Sequence, residues 1–140
     1  MMKTWAITDV GLVRKENQDA YRIARGGDVC VVCDGMGGAA GCQIASTLAA
    51  ETYAAELEKI LKPDMTPEQL REASSYAVAM ANLAVENRAR EDDELSNMGT
   101  TLVSAIAYEG GAVVTNVGDS RAYYYADGVL QPITIDHTLV

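Results

Sequence analysis

An α+β fold, with sheets covered by segregated helices, is what the sequence predicts. Three observations carry it: short β-rich runs open the chain, two long helical stretches fill its middle, and a second series of short β-rich runs follows them. Strands and helices arriving in blocks, not in alternation, argue against a regular βαβ wind. At 140 residues and 49% hydrophobic content, the chain has one domain's length and enough apolar material for a packed core.

Residues 5–8, 20–25 and 29–33 read as strands from their β-branched and aromatic content, with Gly26-Gly27 turning between the last two. A helical pattern then runs over 42–61, with Ile44, Leu48, Leu57 and Leu61 near one stripe, and Pro63 closes it. Thr66-Pro67-Glu68-Gln69 starts a second helix: Thr66 caps it, Pro67 takes the first turn and Gln69 completes a capping box. Leu70, Ala73, Ala77, Met80, Ala81 and Ala84 recur at three- and four-residue spacing and make an alanine-rich face suited to close packing. The acid run Glu91-Asp92-Asp93-Glu94 reads as a solvated loop. Strands are expected at 101–108, 112–117, 121–125 and 129–135, with Asp127-Gly128 as a two-residue hairpin turn before the last.

A formal net charge of −9 argues against nonspecific binding to nucleic acid or anionic membranes and suits a cation-binding site. No apolar stretch approaches the roughly 20 residues that span a bilayer, and no signal-peptide pattern precedes Trp5 and Ile7, so a cytoplasmic location is expected. Cys30, Cys33 and Cys42 are odd in number and fit reduced thiols. Cys30 and Cys33 could form half a zinc site or a redox pair, but no second pair exists, and alternation along a strand sends the two to opposite faces.

The chemistry concentrates in Val31-Val32-Cys33-Asp34-Gly35-Met36-Gly37-Gly38, where an apolar strand is expected to end on a carboxylate followed by glycines. Such a turn delivers an acid to the rim of a sheet, and an unhindered glycine carbonyl can itself ligate a hard cation. Gly118-Asp119-Ser120-Arg121 repeats the arrangement after a second apolar run, and a polar loop over 11–20 adds Arg14, Gln18 and Asp19. A rival reading comes from Gly35-x-Gly37-x-x-Ala40, which has the spacing of a dinucleotide-binding turn. Asp34 would there aim a negative charge at the pyrophosphate, and the helix leads to another helix instead of to a strand bearing a ribose-binding acid.

Taken together, Arg14, Asp19, Asp34-Gly35, Asn97-Met98-Gly99-Thr100-Thr101, Gly118-Asp119-Ser120-Arg121 and Asp136-His137-Thr138-Leu139-Val140 resemble the metal-dependent serine/threonine phosphatases of the protein phosphatase 2C (PPM) type, in their bacterial form. The resemblance extends over nearly the whole chain. It implies an αββα sandwich of two antiparallel sheets flanked by helix pairs, with the metal site in a cleft at one end. It also implies hydrolysis of phosphoserine and phosphothreonine in proteins phosphorylated by a serine/threonine kinase. Two Mg²⁺ or Mn²⁺ ions per complete domain, or three, would serve the reaction. Asp34 would be the catalytic bridging ligand with a metal-bound water as nucleophile, the Gly35 carbonyl a second ligand, and Asp119 the ligand of a weaker third metal. Arg14 would hold the substrate phosphate in its planar fork. Asp19 and Gln18 would hold metal-bound water one step further out.

Departures from the family pattern set further expectations. Gln18 stands where many members carry Glu, Met36 where eukaryotic relatives have a histidine proposed as general acid, and Ala39 where many bacterial members have another. The lone histidine, His137, is expected to be structural. Family domains continue past the Asp-His motif to two further acidic motifs, so residues 1–140 resemble the N-terminal part of a single phosphatase domain carrying half a metal site. That part is expected to have little activity alone and to self-associate through exposed strand edges. A noncatalytic phosphatase-like binding module is the alternative function.

Overall fold

The computed structural model describes residues 2–37 and 39–138. Gly38 of the first motif and Leu139 and Val140 of the last lie outside the described residues, as do the side chains of Ala39 and Ala40. Strands β1 (Asp19–Ala24) and β2 (Val29–Met36) form a hairpin and are followed by helices α1 (Ala39–Ile60) and α2 (Pro67–Glu91). Five strands then follow: β3 (Gly99–Thr100), β4 (Leu102–Tyr108), β5 (Gly111–Val117), β6 (Tyr123–Ala126) and β7 (Val129–Pro132). The main sheet is antiparallel with order β1-β2-β4-β5, and β3 pairs with the far end of β2. The β6-β7 hairpin forms a separate two-stranded sheet. The architecture is α+β, as the blocks of strands and helices predicted.

Burial alternates strictly along β2. Val29, Val31, Cys33 and Gly35 are buried, whereas Val32, Asp34 and Met36 face outward. The buried face meets α1 through Ala45, Ala49, Ala50, Tyr53 and Leu57, a stripe set more by alanines than by the expected leucines. Small side chains let helix and sheet approach closely, and full burial of Leu57 alone is worth about 1.5–3 kcal/mol. Tyr53 brings its polar tip into this core, and the hydroxyls of Ser104 and Ser74 partner it. Ser74 in turn meets the Thr115 hydroxyl at 2.7 Å, so a buried chain of hydroxyls joins both helices to β4 and β5.

The local signals at α2 hold. Thr66 caps the helix, Gln69 returns the capping-box bond and Pro67 sits in the first turn. Its buried face uses Ser74 and Val85 where Met80 and Ala84 were expected. Asp127 and Gly128 both have positive φ, the geometry of the primed hairpin turn that their sequence predicts. Cys33 is buried with its thiol pushed up to about 12 by desolvation, while Cys30 lies on the opposite face, so neither a zinc half-site nor a redox pair forms.

Three expectations are corrected. Residues 5–8 form no strand. Trp5 and Ile7 are 80% and 94% exposed, and side chains tether the segment, with Thr4 Oγ1 donating to the Gly27 carbonyl and Asn17 Nδ2 to Thr8 Oγ1. An extended segment becomes a strand only where a neighbour takes its backbone bonds, and among the described residues none does. Second, β2 does not end at Asp34 but continues to Met36, because Gly99–Thr100 supplies a partner for Gly35 and Met36. Third, the final strand stops at Pro132: the Ile133 N–H still donates to the Ala122 carbonyl at 2.9 Å, but the Ala122 N–H turns to Thr134 Oγ1 at 3.1 Å, so the reciprocal ladder bond is not made. Among the described residues no helix is long and apolar enough to cross a membrane.

Candidate functional site

Asp34 and Asp19 are direct cross-strand partners in the β1–β2 ladder, so their side chains leave the same face at one end of the main sheet. The strand is pinned there from both sides. The Gly35 N–H donates to the Gln18 carbonyl at 2.9 Å, and the Thr101 N–H donates to the Asp34 carbonyl at 2.9 Å. A Cβ on Gly35 would lie 1.8 Å from the carbonyl oxygen of Cys42, so glycine is what lets the first turns of α1 rest on the strand.

The second Gly-Asp turn follows β5. Gly118 has φ +100 and packs against the Thr101 side chain. Its N–H donates to His137 Nδ1 at 3.2 Å, and its carbonyl accepts from the His137 N–H at 2.9 Å. Arg121 closes the same corner by gripping Asp136 through Nε and Nη2 and holding that carboxyl below its ordinary pKa. His137 is thus part of the scaffold around Asp119, as the sequence suggested.

Arg14 sits in the exposed loop before β1 and donates from Nη1 to Gln18 Oε1 at 2.7 Å. The Gln18 amide oxygen, expected to hold water, is given to this arginine. Burial pushes the Asp34 pKa above its ordinary value; the Asp19 carboxyl beside it pushes the same way, Arg14 opposes, and the charge of Asp119 adds to the rise. Arg14, Asp19 and Asp119 thus each lie near enough to act on the Asp34 carboxyl. Among the described residues no N–H or hydroxyl donates to the carboxylates of Asp19, Asp34 or Asp119, while the Asp19 and Asp34 carboxyls lie close enough for one, when protonated, to donate to the other. Equally, no three His, Cys, Asp or Glu side chains there converge into a ready metal cage.

The raised pKa has a consequence for stability. The folded chain holds the Asp34 proton more tightly than the unfolded chain does. Stability is therefore lost as pH rises from the ordinary aspartate value through the raised one. Asp34→Asn is expected to raise the melting temperature of the metal-free chain at neutral pH, with the gain vanishing below about pH 3. Melting curves with chelator across pH check this, and a lower melting temperature at pH 7 would contradict it.

Nothing in the sequence singles out the hydroxyls of Thr101 and Ser120. Their signal was only positional: Thr101 opens an apolar run and Ser120 follows Asp119.

A family profile described as Protein phosphatase 2C matches residues 13–138. Serine/threonine phosphatase stp of Listeria monocytogenes serovar 1/2a is 33% identical over 136 residues, spanning 95% of this chain and 54% of that protein. Serine/threonine protein phosphatase PstP of Mycobacterium tuberculosis is 35% identical over 136 residues, spanning 96% of this chain and 25% of that protein. Among solved structures, serine/threonine phosphatase Stp1 from Staphylococcus aureus superposes with a TM-score of 0.82 at 31% identity, over 94% of this chain and 52% of that one. The catalytic domain of PstP in complex with 2 manganese ions superposes with a TM-score of 0.75 at 32% identity, over 90% of this chain and 52% of that one. The chain spans about half the length of the Listeria relative and a quarter of the mycobacterial one.

Proposed function

The chain belongs to the protein phosphatase 2C family, and from that premise we propose that it carries the phosphate-binding arginine and the first metal ligands of a metal-dependent serine/threonine protein phosphatase. The observation that carries this reading is the cross-strand pairing of Asp19 with Asp34 at one end of the main sheet, with Arg14 and Asp119 near enough to act on the Asp34 carboxyl. The substrates are phosphorylated proteins made by a serine/threonine kinase, and the acidic chain takes no nucleic acid. The reaction belongs in the cytoplasm, a location supported by the three free cysteines.

The donor set fits a hard divalent cation. It offers carboxylate and carbonyl oxygens, and the burial and neighbouring carboxylates that raise the Asp34 pKa are what a cation would offset. Asp34, the Gly35 carbonyl and Asp119 would hold Mg²⁺ or Mn²⁺, two or three per complete domain. Bound there, the cations would neutralise phosphoryl charge and activate the attacking water. Asp19 would orient the Asp34 side from the neighbouring strand. Arg14, steadied by Gln18, would hold two phosphoryl oxygens in its fork.

Arg14→Ala is expected to raise KM for a phosphothreonine peptide by about 10-fold or more, the loss of one charged bidentate contact, with Mn²⁺ affinity nearly unchanged. The assay joins this chain with the remaining half of a relative's domain supplied in trans, and an Mn²⁺ affinity that falls with KM would overturn the assignment.

The absence of a three-carboxylate cage among the described residues favours one second reading, a noncatalytic module that binds phosphoproteins. Metal-independent phosphopeptide binding without turnover in the complemented assay would select it. Self-association of the chain follows from its surfaces: β5 is an edge strand, and Ile23 and Val32 lie exposed on the open sheet face. Sedimentation at micromolar concentration is expected to show a dimer or larger species, and a compact monomer would refute this.

A further inference from the structure

We propose that Thr101 is a positioning residue that locks Asp34 and Asp119 into one unit, an inference that rests on the phosphatase reading of the site. Thr101 is 3% exposed and uses every group it has. Its backbone N–H donates to the Asp34 carbonyl at 2.9 Å, and its Oγ1 accepts the Asp34 N–H at 3.0 Å, so the residue grips Asp34 at both ends of its backbone. A hydroxyl that accepts still has its own proton to give. Here the Oγ1 also meets the Ser120 hydroxyl at 2.5 Å.

The methyl serves the same corner. A Cβ on Gly118 would come within 2.8 Å of Thr101 Cγ2, so the methyl fills the space that the glycine leaves. Asp119 is therefore flanked on both sides by residues that touch Thr101. His137 also holds Gly118 through two hydrogen bonds, so the turn has two anchors, and of these the Thr101 anchor is the one shared with Asp34. Two carboxylates distant in sequence thereby hang from one buried side chain. Serine would keep the hydroxyl bonds and lose the methyl contact; valine would keep the shape and lose the bonds.

The test uses amide spectra of the ¹⁵N-labelled 140-residue chain, first metal-free and then titrated with Mg²⁺. Without metal, Thr101→Val is expected to cost the Asp34 amide at least about 10-fold in hydrogen-exchange protection and to shift the Asp119 and Ser120 amides, whereas Thr101→Ser restores both. Ser120→Ala, which removes only the far end of the link, is expected to move the Asp119 amide while leaving Asp34 protected, and it serves if the valine variant does not fold. With Mg²⁺, the Asp34 and Asp119 amides of the wild type are expected to report one midpoint, and those of Thr101→Val two separated several-fold. A residue that merely supported the fold would lower the melting temperature and leave the midpoints together, which overturns the proposal, as does an Asp119 amide indifferent to both Thr101→Val and Ser120→Ala. If no amide responds even to high millimolar Mg²⁺ but the metal-free coupling appears, the assignment of Asp34 and Asp119 as metal ligands falls while the Thr101 link stands.

Discussion

Asp34→Ala is expected to abolish metal-dependent hydrolysis of phosphoserine and phosphothreonine peptides, with kcat/KM falling by more than about 100-fold, since losing outer partners of metal ligands alone costs about 10–100-fold. Asp34 is the proposed ligand that pairs with Asp19 across the ladder and also feels the charge of Asp119 in the β5 turn. Replacing it removes the charge about which the others are arranged. The measurement is peptide turnover with Mn²⁺ or Mg²⁺ by this chain complemented with a relative's remaining half. Chelator-resistant activity, or activity surviving the substitution, would sink the assignment. The 140-residue chain alone is expected to turn over little, because two carboxylates and one carbonyl shared among two or three hard cations hold them weakly. Robust turnover by the uncomplemented chain would mean that further ligands lie within these residues.

Gly35→Ala is expected to be the most damaging single methyl addition, destabilising the chain by more than about 3 kcal/mol, beyond the usual range for overpacking. The added carbon would sit 1.8 Å from the Cys42 carbonyl oxygen, 2.5 Å from its carbon and 2.8 Å from its Cα. All three are backbone atoms of α1. No rotamer can relieve such a contact, so the helix must lift off β2 and the buried stripe of Ala45, Ala49 and Tyr53 must loosen with it. Gly128→Ala is the contrast, since nothing lies within 4 Å and only the positive φ is strained, at about 1–2 kcal/mol. Urea unfolding of the two variants measures the difference. A loss at Gly35 no larger than that at Gly128 would show that α1 does not rest on the strand in solution.

Features governed by near neighbours were legible in the sequence. The Thr66 capping box, the Asp127-Gly128 turn and the opposite faces of Cys30 and Cys33 each depend on residues a few positions apart, and each is found where local rules put it. The candidate site was legible as motifs, because Asp and Gly at strand ends advertise themselves. Its assembly was not. That Asp34 lies within a strand depends on Gly99–Thr100 arriving to pair with Gly35 and Met36, whereas among the described residues no strand reaches residues 5–8. Gly35 reads from sequence as a ligand's carbonyl, but the tertiary structure adds a second demand, the approach of the α1 backbone. Thr101 is an ordinary strand residue until the β5 turn brings Ser120 to its hydroxyl. Periodicity and propensity describe what a segment can do; which segment meets it, and how closely, is decided by packing between residues far apart in the chain.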